Sequence, residues 1–346
     1  MQPKAALLYN EAFSYFDNLR MQPDGTYHME SDPEAVLEII GDNESEYENI
    51  LQLLSNEGFL AVRHNVNDSL EGTIEFLRRE QPDVIFNFVE VFGNTARLEM
   101  SITGVFDLLG FAYTGASPVT LSNCQNKLLA KKLLNSVGIK TPSGQLVREF
   151  SELKNFILPA IVKPAFEDAS VGIDANAVVY SDADLASRIE YCVNEFKQPA
   201  LVEQYIVGRE LNISLLGNKS PKMLAISEID FSTLPENSPH IVSYQAKWEK
   251  GHELYHQTIP VCPAQIAPDI VATIEQQAKK AYKVLGLRDY ARFDLRMDSN
   301  NEIYFIEANP NPDLSQDSGF VRSALASGFT YGGILAEILK LALARK

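Results

Sequence analysis

The spacing of apolar and polar residues predicts alternating strands and helices in the first third of the chain. Short apolar runs at 4–9 and 83–88 predict buried strands, and apolar positions at helical spacing predict a helix over 98–109. This alternation predicts a small open α/β layer, which we assign to residues 1–115. Residues 20–45 include Pro23, Gly25, Pro33 and many acids, and this composition predicts a loop or an insertion.

The pattern changes after residue 115, and a second part is predicted over 116–205. A helix is expected at 127–137, because its apolar positions follow the helical period and a glycine closes it. Residues 159–164 form an apolar run between two prolines, which predicts a buried strand. Lys163 lies at the end of that strand, where its ammonium group is available to a ligand.

A third part is predicted over 206–346 and is rich in strands. Strands are predicted at 209–216, 223–230, 290–297 and 302–308. An amphipathic helix follows from the apolar positions between 270 and 285, and a final helix is predicted at 334–344. The chain contains neither an internal repeat nor a low-complexity segment.

Composition narrows the class of protein. The chain has 346 residues, of which 45% are apolar, so it can bury more than one core. Its net charge of -16 argues against binding to nucleic acids or anionic membranes. We expect no signal peptide and no membrane span, and the three cysteines have no metal-binding spacing. A soluble protein of the cytoplasm is therefore expected.

The last two predicted strands carry the strongest chemical signal. Side chains alternate along a strand, so Arg292 shares a face with Asp294, and Glu307 shares a face with Asn309. If the tight turn between the strands pairs Asp294 with Glu307, all four side chains lie on one face. Two carboxylates and an amide suit Mg²⁺ or Mn²⁺ better than zinc. The alternative is a solvated sheet face with incidental charges.

Two further segments could hold a nucleotide. Lys163 is followed by the loop 167–172, whose small residues could offer backbone N–H groups to phosphate oxygens. Residues 199–206 predict a strand that ends in polar groups, and Glu210 follows shortly after it. Such a strand edge and carboxylate could hold an adenine and a ribose, although an ordinary strand and turn would have the same sequence.

Another motif suggests zinc instead. His252, Glu253 and His256 match the H-E-x-x-H pattern of zinc metallopeptidases. That chemistry needs both histidines on one face of a stable helix and a third ligand. A glycine precedes the motif, a proline follows it closely and the segment lacks an apolar stripe, so we expect a polar surface loop. The chain contains no P-loop, dinucleotide-binding or nucleophile-elbow motif.

Taken together, the motifs resemble the ATP-grasp superfamily, and within it D-alanine–D-alanine ligase and its relatives. The similarity runs from about residue 82 to the end of the chain. The motifs that carry it are Phe111–Gly115, Asn126–Lys127, Ile161–Pro164, Ala169–Gly172, Val202–Glu203, Gly208–Glu210, Tyr244–Lys247, Arg292–Asp294 and Glu307–Asn309. Each is short, but their order along the chain matches the family.

The resemblance implies an α/β (α+β) ATP-grasp fold, with the nucleotide held between two α+β subdomains behind an N-terminal open α/β layer. It implies an ATP-dependent, ADP-forming carboxylate–amine ligase that works through an acyl phosphate. By the same resemblance, the ATP-binding residues are Lys127, Lys163, Glu203, Ile206 and Glu210, and the ligands of two Mg²⁺ (or Mn²⁺) ions are Asp294, Glu307 and Asn309. The resemblance further implies that Arg292 stabilises the oxyanion of the tetrahedral intermediate, that Ser170 lies in a loop that closes over the γ-phosphate, and that Lys247 lies in a lid that excludes water from the acyl phosphate.

Several positions depart from the family, and all of them concern the amino-acid substrates. Glu11 is the candidate for the N-terminal glutamate, the family's loop serine is replaced by Ala169, and its lid tyrosine is replaced by Trp248. Glu90 stands in place of a histidine, and Asp313 in place of a glycine. Ser318 matches the family serine that binds the second substrate's carboxylate, but Asp317 lies beside it.

We therefore expect a ligase of small amino-acid-like substrates that are not two D-alanines. The added acids favour a basic or amine-rich acceptor, unless they face solvent or pair with arginines such as Arg322. The alternatives are a true D-alanine–D-alanine ligase of cell-wall synthesis, a zinc hydrolase and a non-catalytic nucleotide-binding protein. Family members are often homodimers, but nothing in this sequence indicates the interface, the substrates or the chirality of the substrates.

Overall fold

The computed structural model describes residues 2–10, 19–21, 27–29, 33–66, 69–92, 98–167, 170–236, 238–248 and 251–345. The strands are β1 (Lys4–Tyr9), β2 (Leu19–Met21), β3 (Tyr27–Met29), β4 (Leu60–Asn65), β5 (Val84–Phe88), β6 (Ala112–Tyr113), β7 (Gly144–Val147), β8 (Ala160–Pro164), β9 (Val178–Val179), β10 (Ala200–Gln204), β11 (Arg209–Leu216), β12 (Lys222–Met223), β13 (Ser227–Asp230), β14 (Ile259–Val261), β15 (Tyr290–Met297) and β16 (Ile303–Asn309).

The helices are α1 (Pro33–Asn56), α2 (Leu70–Glu80), α3 (Glu99–Leu109), α4 (Pro118–Gln125), α5 (Lys127–Ser136), α6 (Asp182–Phe196), α7 (Tyr244–Trp248), α8 (Glu253–Gln257), α9 (Pro268–Val284), α10 (Gly319–Ala326) and α11 (Tyr331–Leu343). Among the described residues, none of these helices is both long and apolar enough to span a bilayer.

Residue contacts divide the chain into two compact units. The first comprises residues 1–118 and 329–346, and its main sheet has the order β4-β1-β5-β6 with every pairing parallel. Strands β1 and β5 are buried almost throughout, because helices cover both faces of such a sheet. That burial is the reason they appear in the sequence as continuous apolar runs, and both predicted strands are confirmed.

One prediction in this unit is wrong. Residues 20–45 were expected to form a loop or an insertion, and the loop prediction fails from residue 33 on, because helix α1 begins at Pro33 and continues to Asn56; the short strands β2 and β3 precede it. Proline suits the first turn of a helix, because the N–H that it lacks would have no hydrogen-bond partner there. Acidic residues also suit the first turn, because their negative charge interacts favourably with the positive end of the helix dipole. The composition of this segment therefore fits a helix start as well as a loop.

The last helix also differs from the expected organisation. The three-part division stays a prediction, but residues 329–346 belong to the first unit and not with 206–328. Helix α11 is buried along most of its length and contacts α1, β5 and β6. Arg345 then donates from Nη2 to the carbonyl oxygen of Tyr113 at 2.6 Å. Burial of an apolar helix needs a matching apolar surface, which the first unit provides.

The second unit, residues 119–328, contains two antiparallel sheets. The smaller sheet has the order β7-β10-β8-β9, and one face of it packs on α6 through Val162, Val202, Leu185 and Ile189. Its opposite face carries Lys163 and the other side chains that alternate with this core. The predicted strand at 159–164 is confirmed.

The larger sheet has the order β14-β13-β11-β15-β16, with β12 paired to β11. Its core contains residues of α5 and α9, including Ala130, Leu134 and Ile274. The predicted strands at 209–216, 290–297 and 302–308 and the helices at 127–137 and 270–285 are confirmed. The segment predicted as one strand at 223–230 forms two short strands instead, β12 and β13.

Candidate functional site

Strands β15 and β16 bring four polar side chains to one face of the larger sheet. Arg292 pairs with Asn309, and Asp294 pairs with Glu307, so the register predicted from the sequence is confirmed. Arg292 donates from Nε and Nη2 to the two carboxylate oxygens of Asp294 at 2.8 and 3.0 Å. Asn309 donates from Nδ2 to the same carboxylate at 3.0 Å. An arginine, two carboxylates and an amide therefore lie side by side.

A β-bulge at Ile306 keeps this polar face separate from the core. The pairing shifts between Asp294 and Leu295, so Ile306 is an extra residue on β16. Phe305 and Ala308 are three positions apart and would face opposite sides of a regular strand. With the bulge, both pack into the core of the second unit. The sequence pattern did not predict the bulge.

Lys127, on the first turn of α5, is paired with Glu307. Its Nζ lies 2.8 Å from Oε1 of Glu307 and also donates to the carbonyl oxygen of Glu167 at 2.6 Å. Burial by itself raises the pKa of Glu307, but Lys127, Lys163 and Lys131 outweigh it and hold that pKa at about 2. Glu307 is therefore ionised at neutral pH, as a ligand of a hard cation must be.

Lys131, one turn after Lys127, is a site residue that the sequence analysis missed. It forms an ion pair with Oε1 of Glu203, and Lys163 lies 2.9 Å from Oε2 of the same carboxylate. Burial raises the pKa of Glu203, but the two lysines outweigh that effect and lower it overall. Burial lowers the pKa of Lys131 to about 8. The available signal was a second lysine on the buried stripe of α5, four residues after the first.

Gly144 on β7 makes room for the Glu203 carboxylate. The two residues are directly opposite each other in the sheet, and a Cβ at position 144 would lie 2.9 Å from Cγ and 3.2 Å from Oε1 of Glu203. Because two lysines hold this carboxylate, it cannot swing away freely. The ion pairs that hold Glu203 in place therefore leave no room for a side chain at position 144.

We expect Gly144→Ala to lower the free energy of unfolding by about 1–3 kcal/mol, since an added methyl group must displace a fixed buried side chain. Urea unfolding of the purified variant measures this. Gly251→Ala is the control, because a Cβ at that position meets no atom within 4 Å. Equal stability of the two variants would show that Glu203 is not held in place.

The proposed adenine and ribose residues lie at the end of β10 and on β11. Ile206 is buried just beyond β10. Glu210 pairs with Arg296 across the sheet, and Arg296 Nη2 lies 2.8 Å from its Oε2. Burial raises the pKa of Glu210, and Arg296 only partly offsets this. Glu203, Ile206 and Glu210 thus all lie on or next to the connection between β10 and β11.

The small-residue loop is bound to the segment that precedes Lys247. Ser170 donates from Oγ to the carbonyl oxygen of Val242 at 3.0 Å, and the N–H of Tyr244 donates to the carbonyl oxygen of Ile173 at 2.9 Å. Gly172 has a φ of +73°, and a Cβ there would lie 2.6 Å from Pro164, so only glycine fits. We call residues 241–248 the lid segment. Loop and lid segment therefore contact each other directly.

Lys247 lies on α7 at the end of the lid segment. The residue is exposed to solvent. The protein around it lowers its pKa by desolvation, and Arg292 lowers it further, whereas Asp313, Asp294 and Glu307 act in the opposite direction. The charges on the polar face of β15 and β16 therefore influence the pKa of Lys247.

The candidate substrate residues are only partly described. Asp313 accepts hydrogen bonds from the N–H and hydroxyl of Ser315 at 2.8 and 2.7 Å. Burial lowers the pKa of Arg292, but Asp294, Glu307 and, to a smaller extent, Asp313 outweigh it and raise that pKa overall. Ser318 begins α10, and its Oγ accepts from the N–H of Val321. The N–H of Glu90, in the first unit, donates to Asn10 at 3.2 Å.

Three of the substrate predictions concern residues that the structure leaves out. Glu11 and Ala169 lie outside the described residues, as does the side chain of Trp248. The suggested pairing of the added acids with Arg322 is seen only at the main chain, where Arg322 Nη2 donates to the carbonyl oxygen of Asp317 at 2.7 Å. The roles of these residues stay predictions.

The H-E-x-x-H segment does not form the helix that a zinc site needs. His252 precedes α8, and its Nδ1 accepts the N–H of Leu254 at 3.1 Å as a helix cap. Helix α8 has five residues, of which none is buried. No group of three His, Cys, Asp or Glu residues suited to a metal occurs in the described part of the chain. The zinc alternative therefore has no support.

The donor set on β15 and β16 fits magnesium. Asp294, Glu307 and Asn309 present carboxylate and amide oxygens, which hard divalent cations prefer. Lys127 contacts the carboxylate of Glu307, and Arg292 contacts that of Asp294. Phosphate oxygens could complete the coordination, as they do for Mg²⁺ in nucleotide sites.

Comparison with known proteins identifies the class. Residues 137–340 match the family described as D-ala D-ala ligase C-terminus. The D-alanine–D-alanine ligase of Carboxydothermus hydrogenoformans is 29% identical over 306 residues, which cover 85% of this chain and 91% of that protein. An uncharacterized protein of Sinorhizobium fredii, y4sG, is 30% identical over 260 residues, covering 75% and 74% of the two chains.

Structural similarity agrees with this. The crystal structure of D-alanine–D-alanine ligase from Bacillus anthracis complexed with ATP has a TM-score of 0.70 and 20% identity, covering 99% of this chain and 98% of that one. The fold is therefore that of the ATP-grasp proteins. Within this class the chain belongs to the D-alanine–D-alanine ligase-like family, a family of ATP-dependent, ADP-forming ligases.

Proposed function

We propose that this protein joins the carboxylate of one small amino-acid-like molecule to the amine of another, using ATP and two Mg²⁺ (or Mn²⁺) ions. The observation that carries the proposal is the polar face of β15 and β16, where Arg292, Asp294, Glu307 and Asn309 lie together beside Lys127. A solvated sheet face would give no reason to bury a lysine of a separate helix, Lys127, against the carboxylate of Glu307.

The chemistry has two steps. A substrate carboxylate oxygen attacks the γ-phosphorus of ATP, the bond to ADP breaks, and an acyl phosphate forms. The amine nitrogen of the second substrate then attacks the acyl carbon, phosphate leaves, and the nitrogen loses a proton. The product is an amide or peptide bond.

Each step has residues suited to it. Lys127 and Lys163 would bind phosphate oxygens, Glu203 and Ile206 the adenine, and Glu210 the ribose hydroxyls. Asp294, Glu307 and Asn309 would hold magnesium, which supplies charge neutralisation at the phosphates. Arg292 would stabilise the oxyanion of the tetrahedral intermediate, a charge that exists only along the reaction path.

The loop and lid segment would keep water from the acyl phosphate. Ser170 and Lys247 belong to segments that are hydrogen-bonded to each other, so both could close over the phosphates as one element. Exclusion of water matters because an acyl phosphate that meets water hydrolyses before the amine can attack.

The substrates are proposed to differ from two D-alanines, because Glu90, Trp248 and Asp313 replace the family's substrate residues. A carboxylate such as Asp313, close enough to influence Arg292 and Lys247, favours an acceptor that carries positive charge. A true D-alanine–D-alanine ligase with altered side chains is the second candidate, since the chain is 29% identical to such an enzyme. We place the reaction in the cytoplasm; whether it needs a homodimer is left open.

We expect ADP release from ATP and Mg²⁺ with one pair of substrates and not with either member alone. The measurement uses a panel of D- and L-amino acids, dipeptides, arginine, lysine and polyamines, singly and in pairs. Fastest turnover with two D-alanines would favour the second candidate. ATP binding without ADP release by any pair would favour a non-catalytic protein, and absence of ATP binding would contradict the proposal.

A further inference from the structure

Two lysines share one buried carboxylate in the second unit. Lys131 is 3% exposed, Lys163 is 4% exposed and Glu203 is 2% exposed. Lys131 contacts Oε1 of Glu203, and Lys163 contacts Oε2 at 2.9 Å. Both oxygens of the carboxylate therefore face an ammonium group.

The wider cluster has three lysines, Lys127, Lys131 and Lys163, and two carboxylates, Glu203 and Glu307, so it carries an excess of one positive charge. Burial of a charge away from water carries a large desolvation penalty, so an unbalanced buried cation needs a further partner. A single lysine would neutralise Glu203 completely. The second lysine makes the cluster positive, which is what an anionic ligand at this position requires.

The two lysines are not equivalent. Lys131 lies on the stripe of α5 that packs against the larger sheet, one turn from Lys127. Lys163 lies on β8, immediately before the loop that leads to Ser170, and is placed diagonally to Glu203 on the same face of the smaller sheet. Lys163 is thus the cation nearer to the loop, and Lys131 is the cation nearer to the core.

We propose that Lys131 is a positioning residue that neutralises Glu203, so that the charge of Lys163 remains available to the phosphates of the nucleotide. Without Lys131, Glu203 and Lys163 form a closed neutral pair, and phosphate oxygens must compete with Glu203 for Lys163. The inference rests on the proposed nucleotide site and assigns a role to a residue that touches no substrate.

The test is the affinity for ADP with Mg²⁺, measured by calorimetry. We expect Lys131→Met to weaken binding by about tenfold or more, because a full charge is removed from a poorly solvated cluster. Lys132→Met is the matched control, since Lys132 is the next residue on α5 and is exposed. It should bind ADP as the wild type does.

A double variant separates positioning from support of the fold. Lys131→Met combined with Glu203→Gln removes one positive and one negative charge, and therefore restores the wild-type excess at Lys163. Glutamine has nearly the same volume as glutamate, and the substitution leaves the main chain of β10 unchanged. We expect the double variant to bind ADP at least about threefold more tightly than Lys131→Met alone, whereas a merely structural role predicts further loss.

Two outcomes would overturn the inference alone: wild-type ADP affinity in Lys131→Met, or a double variant that binds no better than the single one. If Lys131→Met does not fold, the comparison of the double variant with the wild type decides, and a loss of about tenfold or more in ADP affinity contradicts the proposal. If the wild type binds neither ADP nor ATP, the proposed function fails, and the role of Lys131 fails with it.

Discussion

Glu307→Gln is expected to lower the rate of ADP release by a factor on the order of 10³ or more, because it removes a charged oxygen ligand from the proposed magnesium site. The substitution also removes the ion pair with Lys127, whose Nζ lies 2.8 Å from Oε1. Both effects act on the reacting phosphates. Glutamine has the same shape, so the pairing of β15 with β16 should be unaffected.

The measurement is steady-state ADP release with the substrate pair that the panel identifies, together with thermal unfolding. Glu302→Gln is the matched control, because it makes the same change at the start of the same strand, where Glu302 forms an exposed ion pair with Lys140. We expect wild-type turnover from the control. Wild-type turnover from Glu307→Gln would mean that the metal site lies elsewhere.

Arg292→Lys is expected to reduce turnover by about 10²–10³-fold, the range found when a donor to an oxyanion is removed. Lysine keeps the charge but cannot repeat the two parallel hydrogen bonds that Arg292 makes to Asp294. The ammonium group would therefore sit in a different place, and Asp294 would lose one of the contacts that orient it. ADP affinity should change little, since Arg292 is assigned to the later step.

The control for this variant is Arg209→Lys. Arg209 also forms two hydrogen bonds to one carboxylate, that of Glu228, on neighbouring strands of the same sheet. Arg209→Lys therefore removes a similar pair of hydrogen bonds from the same sheet, but away from the polar face. Equal turnover in the two variants, or a loss in Arg292→Lys that appears wholly as weaker ADP binding, would contradict the role of Arg292.

Local patterns were sufficient for much of the site. Strand alternation and a short turn place Arg292, Asp294, Glu307 and Asn309 on one face, because both operate within a single hairpin of 20 residues from Tyr290 to Asn309. The loop interpretation of residues 20–45 failed for a related reason. Proline and acids are common both in loops and in the first turn of a helix, so composition alone could not separate the two.

These local patterns could not predict which polar residues are buried or which residues they contact. Lys131 looks like one more polar residue of an amphipathic helix, yet it is buried against Glu203, which is 72 positions away. Gly144 looks like a turn residue, yet it is a strand residue whose missing side chain makes room for that same Glu203. Neither could be recognised before the strands were placed beside each other.

By itself the sequence determined several of the strands and helices, which polar side chains of the β15–β16 hairpin share a face, and which family the chain resembles. These properties depend on residues that are neighbours along the chain or on the order of short motifs. The tertiary structure alone decided which cation meets which carboxylate, where the bulge at Ile306 falls, and that α11 packs with the first unit. Such contacts join residues that are distant in sequence, and their energies depend on burial, which exists only after the chain has folded.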